Sequence, residues 1–166
     1  MSKKGCICAI IGKSIIEIAG GLDEKHYKCV DLKLSAANKL SEFIAEGVSG
    51  FVCNAEWGFS LFAIEILLGM RGMGMNVDDL TLICPFEEQA TAWTDSVRER
   101  YFNTHAKADL VRFISRRYHE DCYRICEKVI IDGCDMLLTD DEGGFAAQYA
   151  EVSGKSVIAC KVTERL

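Results

Sequence analysis

The chain has 166 residues, 49% hydrophobic and 27% charged, which suits one soluble domain with a full core and leaves no sign of a linker or a second domain. Its formal net charge of −6 argues against nucleic acid or an anionic membrane as a partner; the longest basic candidate is residues 112–117, with three arginines. No run of about 18 apolar residues is present to cross a bilayer, and no cleavable leader pattern is visible, so a cytoplasmic protein is expected.

Residues 6–12 (CICAIIG) form a short continuous apolar run ending in glycine, the pattern of a strand buried on both faces. Two β-prone runs follow, residues 14–19 and 26–32, around Gly20-Gly21-Leu22-Asp23; they suggest a small hairpin or an excursion over the sheet edge. Leu34, Ala37, Leu40, Phe43 and Ile44 trace a helix that ends at Gly47.

Residues 50–70 (GFVCNAEWGFSLFAIEILLGM) then give a strand, a tight turn and a helix apolar on nearly every face, interrupted only by Ser60 and Glu65. Such a helix must be covered all round. Residues 80–84 form the next strand, with Pro85 expected to stop it; Trp93, Val97 and Tyr101 mark the following helix. Residues 110–114 read as a strand, Cys122, Cys126, Val129 and Ile130 as a helix stripe, and residues 136–139 as a strand. Gly143-Gly144 opens a helix through Phe145 and Tyr149, and residues 156–162 form the last strand.

Alternating strands and helices, with strands apolar on both faces, predict an α/β fold: a Rossmann-like three-layer α/β/α sandwich on a mostly parallel sheet, one domain over residues 1–166. The nine cysteines lie mostly in apolar runs and contain no CxxC, so they read as free buried thiols in a reducing compartment. The three histidines have no metal spacing, and no metal site is expected.

In such sheets ligands bind beyond the carboxyl ends of the strands. Gly12, at the end of the first strand, and the turn Asn54 to Gly58 are candidates, Asn54 either as a helix cap or as a ligand contact. Gly143-Gly144, approached by Asp140-Asp141-Glu142, is a second glycine turn, where acidic groups suit ribose hydroxyls or a divalent ion. Glu65 needs a partner or a wet pocket, because a carboxylate inside an apolar helix is costly to bury alone. Trp93, one turn after Gln89, either stacks on a base or fills core.

Four elements carry a resemblance. Trp57-Gly58 leads through Phe62-Ala63-Ile64-Glu65; a PF..Q...W element spans residues 85–93; Ala108-Asp109-Leu110 leads to Ile114-Ser115 and Arg117; and Asp132, Cys134, Asp135, Leu137-Leu138 precede Asp140, Asp141 and Gly143-Gly144. The chain resembles the YpsA-like branch of the SLOG superfamily, Rossmann-like proteins related to the LOG phosphoribohydrolases and the Smf/DprA proteins. It departs from the family's pattern at Asn54-Ala55, Ser60, Cys126-Glu127 and Phe145, with Arg124 the nearest counterpart of an expected arginine.

The resemblance implies a sensor or regulator that binds a nucleotide or nucleotide derivative, with or without Mg²⁺; a homo-oligomer is a separate expectation. Its implied ligand residues are Gly12, Asn54, Gly58, Glu65, Gln89, Trp93, Arg124, Asp140, Gly143 and Gly144. Backbone N–H groups near residues 54–58 and 143–145 would take phosphate. The PGGxGTxxE motif of the LOG hydrolases is replaced by Glu142-Gly143-Gly144-Phe145, so N-glycoside hydrolysis is not expected. Two alternatives remain: a nucleotide-processing enzyme using Glu65 or Glu56, and a ligand-free interaction module of the kind suggested for relatives in cell-division or stress regulation.

Overall fold

The structure, a computed structural model, describes residue 3 and residues 5–165. Six strands and six helices alternate: β1 (Ile7–Ile10), α1 (Ile15–Ala19), α2 (Tyr27–Glu46), β2 (Gly50–Cys53), α3 (Phe59–Gly72), β3 (Asp79–Phe86), α4 (Asp95–Lys107), β4 (Leu110–Ser115), α5 (Cys122–Asp132), β5 (Met136–Thr139), α6 (Phe145–Val152) and β6 (Ser156–Ala159). All five pairings are parallel, in the order β4-β3-β2-β1-β5-β6. The expected Rossmann-like arrangement is therefore what forms.

Strand residues alternate between two cores. Cys8 and Ile10 of β1 face one core with α2, α3 and α4; Ala9 and Ile11 face the other with α5 and α6. That alternation explains why β1 reads as an unbroken apolar run. Helix α3 is buried along Phe59, Leu61, Phe62, Ala63, Ile64 and Leu67, with Glu65 at its half-buried margin. All nine cysteines are free, and eight are buried.

Residues 15–19 and 27–32 are helical, capped by Ser14 and His26, and do not form a hairpin. Ser14 and Glu17 form a reciprocal capping box and Gly20 ends α1 in the left-handed conformation, so a five-residue helix forms despite three isoleucines. Helix α2 starts at Tyr27, where His26 caps it by accepting the Lys28 N–H. Its buried stripe of Cys29, Leu32, Ala36, Leu40 and Phe43 extends the helical period back through a segment whose residues are individually β-prone.

Strand β3 continues through Pro85. Its neighbour β2 ends opposite Leu82, so beyond that point β3 pairs only with β4, and one fewer ladder needs a donor.

Candidate functional site

From β1 the chain winds outward through β2, β3 and β4, then returns to the other side of β1 with β5 and β6. The winding therefore reverses between β1 and β5, and the crevice outside their carboxyl ends is the natural ligand position. Gly12-Lys13-Ser14 leaves β1 there, and Asp140 to Gly144 leaves β5.

The N-terminus of α3 is closed by the first of these loops. Phe59 N–H donates to Lys13 O at 3.1 Å, Leu61 N–H donates to Glu56 O, and Ser14 bridges Gly58. A Cβ on Gly58 would lie 2.2 Å from Lys13 O, and its φ of +152° adds strain for any other residue. The phosphate seat expected at residues 54–58 is thus filled by the protein's own backbone. Asn54 makes a local turn, accepting the Glu56 N–H through Oδ1, and Gly58 is a packing residue.

Gln89, Glu65 and Trp93 lie behind this end and serve the fold. Gln89 Nε2 donates to Asn54 O and to Glu56 Oε2, while its Oε1 accepts from Tyr101 Oη. Glu56 accepts a further hydrogen bond from Tyr123 Oη at 2.7 Å, and burial raises its carboxyl above the ordinary range. Trp93 packs edge-on against Trp57 and Tyr101.

Glu65 finds its partner in Arg100, which grips it through Nε at 3.0 Å and Nη2 at 2.6 Å. The same guanidinium binds both oxygens of Glu24, which also accepts from Trp57 Nε1 and Lys33. Burial opposes the Glu24 charge, but these bonds overcome it and hold its carboxyl at about 2. Both alternative catalytic carboxylates, Glu56 and Glu65, are therefore tied into structural networks.

The β1/β5 crevice holds the remaining candidates. Gly12 is required because a Cβ would lie 2.1 Å from Asp140 Oδ1. Asp140 Oδ1 accepts the Lys13 N–H at 2.8 Å, while Oδ2 is buried with no hydrogen-bond partner among the described residues. Burial raises this carboxyl to about 6, the Lys13 contacts only partly offsetting it.

On the α2 side of the crevice is a cavity of about 470 Å³, whose lining includes Lys13, Glu17, Lys28, Asp140, Glu142 and Lys161. On the α6 side the space shrinks to about 30 Å³, room for about one water, between Gly12, Glu127, Asp141, Gly144 and Phe145. Burial pushes Glu127 up to about 7 against the pull of Arg124. Arg124 itself covers the Phe145 ring at 4.6 Å.

The α6 N-terminus therefore faces carboxylates and a stacked arginine, not an open phosphate cradle. Of the expected ligand residues, Gly12, Asp140 and Gly144 line the cavities of this crevice, Gly143 sits in the loop between them and Arg124 covers Phe145 at its rim; Asn54, Gly58, Glu65, Gln89 and Trp93 do not line them. Sequence reasoning missed Lys28 and Lys161 because they come from helix and strand ends far from any glycine turn.

It also missed a cysteine–histidine contact. Cys84 Sγ lies 3.6 Å from His105 Nε2, and His105 Nδ1 lies 2.9 Å from Tyr101 O. A carbonyl only accepts, so the proton sits on Nδ1 and Nε2 accepts from the thiol. Burial raises Cys84 to about 12 and lowers His105, so the pair is neutral and structural.

The profile of the YspA SLOG family matches residues 8–153. The chain belongs to this YpsA family. It is 28% identical over 141 residues to a UPF0398 protein of Shouchella clausii, covering 82% of this chain and 75% of that protein. A UPF0398 protein of Halalkalibacterium halodurans is 26% identical over 141 residues, covering 82% of this chain and 74% of the relative. Among solved structures, DNA processing protein A of Helicobacter pylori superposes with a TM-score of 0.59 at 12% identity, covering 98% of this chain and 67% of that one. That structure is described as showing a single-stranded DNA binding mode, and the likeness establishes a shared fold. Among the described residues no helix is long and apolar enough to cross a membrane.

Proposed function

We propose that this YpsA-family protein binds a nucleotide-derived small molecule in the β1/β5 crevice and acts as a sensor or regulator. The observation that carries the reading is Asp140: its Oδ2 is buried without a partner among the described residues, at the carboxyl end of β5 and next to the larger cavity of the crevice. A buried acceptor left unpaired costs free energy that a ligand hydroxyl or amine relieves by donating to it. Lys13 and Lys28 line the same cavity beside Glu17 and suit an anionic group, while Lys161 there is paired with Glu142 at 3.4 Å. The ribose end of a nucleotide thus belongs on Asp140, with its charged tail toward the lysines. With Glu127 and Asp141 at the α6 N-terminus, the phosphate lies on lysine side chains instead of on a helix end.

The test is a thermal-shift screen against nucleosides, nucleotides, dinucleotides and nucleotide sugars, with and without Mg²⁺. Ligand at about one hundred times its Kd stabilises by about 2.7 kcal/mol, well within detection. A shift for one ligand class that Asp140→Asn abolishes supports the reading. No shift with any class, or an unchanged shift in the variant, refutes it.

A second reading is a single-stranded nucleic acid surface. The exposed Arg112, Arg116 and Arg117 with Tyr118 favour it, as does the DNA-binding relative of the same fold. The net charge of −6 weighs against it. Anisotropy with a labelled oligonucleotide decides: binding that falls steeply with salt and disappears in Arg116→Glu/Arg117→Glu would put it ahead.

A further inference from the structure

The two edges of the sheet are built differently. β6 is four residues long and is flanked by Lys155 and Lys161, the short lysine-guarded form that resists pairing. β4 is six residues, with no proline, and among the described residues no strand pairs with its outer side. Apolar side chains crowd that edge: Leu110 is 50% exposed and Phe113 40%, and Phe102 of α4, 60% exposed, lies beyond His105, whose ring stacks near Phe113. An edge of this kind is a template for another strand.

The strand's own sequence says which strand fits. Residues 109–117 read Asp-Leu-Val-Arg-Phe-Ile-Ser-Arg-Arg, acidic at the start and doubly basic at the end. Laid antiparallel against itself, the acidic end of each copy meets the basic end of the other. We infer that β4 pairs antiparallel with β4 of a second copy about a two-fold axis, joining two six-stranded sheets into one continuous sheet.

Charge also selects the register. Directly opposite residues in a two-fold antiparallel pair share a face, so Phe113 and its neighbours move in steps of two. Centring the axis on Arg112 sets Arg112 against its own copy, and centring it on Ile114 sets Arg112 against Arg116. Like charges directly opposite are destabilising. Centring it on Phe113 avoids both: Phe113 meets Phe113, Arg112 meets Ile114, Leu110 meets Arg116, and Asp109 comes level with Arg117. Asp109 Oδ2 already accepts from Arg71 and from the Leu80 N–H on the β3 side, and its side chain is 43% exposed, so the incoming arginine shares a carboxylate that Arg71 also holds.

The interface is isologous and modest in size, so a concentration-dependent monomer–dimer equilibrium is expected. Sedimentation velocity on the full chain without nucleic acid measures it. Phe113→Lys and Arg116→Glu/Arg117→Glu change exposed side chains, so the fold is expected to survive, checked by an unchanged melt. Each should weaken dimerisation about tenfold or more. Register is read separately: Phe113→Cys should join two copies through a short dithiol-reactive cross-linker much faster than Arg112→Cys, with the wild type as the background for the native thiols. A monomer at every concentration, a dimer indifferent to these variants, or faster cross-linking at position 112 overturns the inference. The first of these results would mean that a different partner covers the edge.

Discussion

Asp140 combines a cost to the free protein with the role toward a ligand proposed for it, and the two separate under substitution. Its carboxyl is raised from 3.8 to about 6 by burial, so at neutral pH the folded state carries a charge that the unfolded chain holds more cheaply. Asp140→Asn keeps an Oδ1 acceptor for the Lys13 N–H and removes the charge. The ligand-free variant should be more stable at pH 7, by roughly 3 kcal/mol at most on the linkage relation, while ligand binding is lost. Denaturant melts with and without ligand read both effects; a destabilised variant contradicts the account. Arg100 is the opposite case. Arg100→Met leaves Glu24 and Glu65 half-buried without their shared cation and should destabilise by roughly 2 kcal/mol, visible as a lower denaturant midpoint. From the sequence, Glu65 was legible as a group in need of a partner. The partner was not, because Arg100 is 35 residues away and the second carboxylate comes from the loop before α2. Gln89 and Asn54 are ambiguous in sequence for a related reason: buried amides are as useful for joining a turn to a helix as for holding a ligand, and residue type alone does not tell the two apart.

At the scale of elements, the glycines separate by what surrounds them. Gly58 must pass Lys13 O where β1 hands over to α1, whereas nothing lies within 4 Å of a Cβ placed on Gly143. Gly58→Ala should therefore cost roughly 3 kcal/mol or prevent folding, while Gly143→Ala should leave the melting temperature nearly unchanged. Equal effects of the two would mean that the loop does not seal α3 as described. The alternation of strands and helices was legible because strands buried on both faces and an all-apolar α3 leave few other architectures. Helix α1 was not, because three isoleucines in five residues outweigh a capping box when propensity is read one residue at a time. The start of α2 was hidden in the same way, its stripe being set by packing on the sheet rather than by the preferences of residues 26–32. Pro85 was misjudged because a proline's cost in a strand depends on which neighbours are still paired there.

Over the whole molecule, the carboxylates of the crevice and those of the helical layer respond to pH in opposite directions. Asp140, raised from 3.8 to about 6, and Glu127, raised from 4.5 to about 7, bind protons in the folded state at pH values where the unfolded chain has already lost them; Glu56 is raised as well. Through this window the folded state binds more protons, so stability rises as pH falls. Glu24 is held down, from 4.5 to about 2, so its contribution is complete above 4.5 and is lost as pH falls toward 2. His105 works against these three raised carboxylates, since burial lowers it and the folded state resists protonating it below about 6.5, but it is one group against three. The melting temperature should therefore climb from pH 8 to a maximum at about pH 5 and fall steeply below about pH 4. Scanning calorimetry across that range measures the profile. In Glu127→Gln/Asp140→Asn the limb above pH 5 should flatten while the acid limb stays, because Glu24 and its partner Arg100 are untouched. A wild-type melting temperature that falls steadily from pH 8 to 5 would show that these carboxylates are solvated, and would remove the electrostatic basis for placing a hydroxyl-bearing ligand on Asp140.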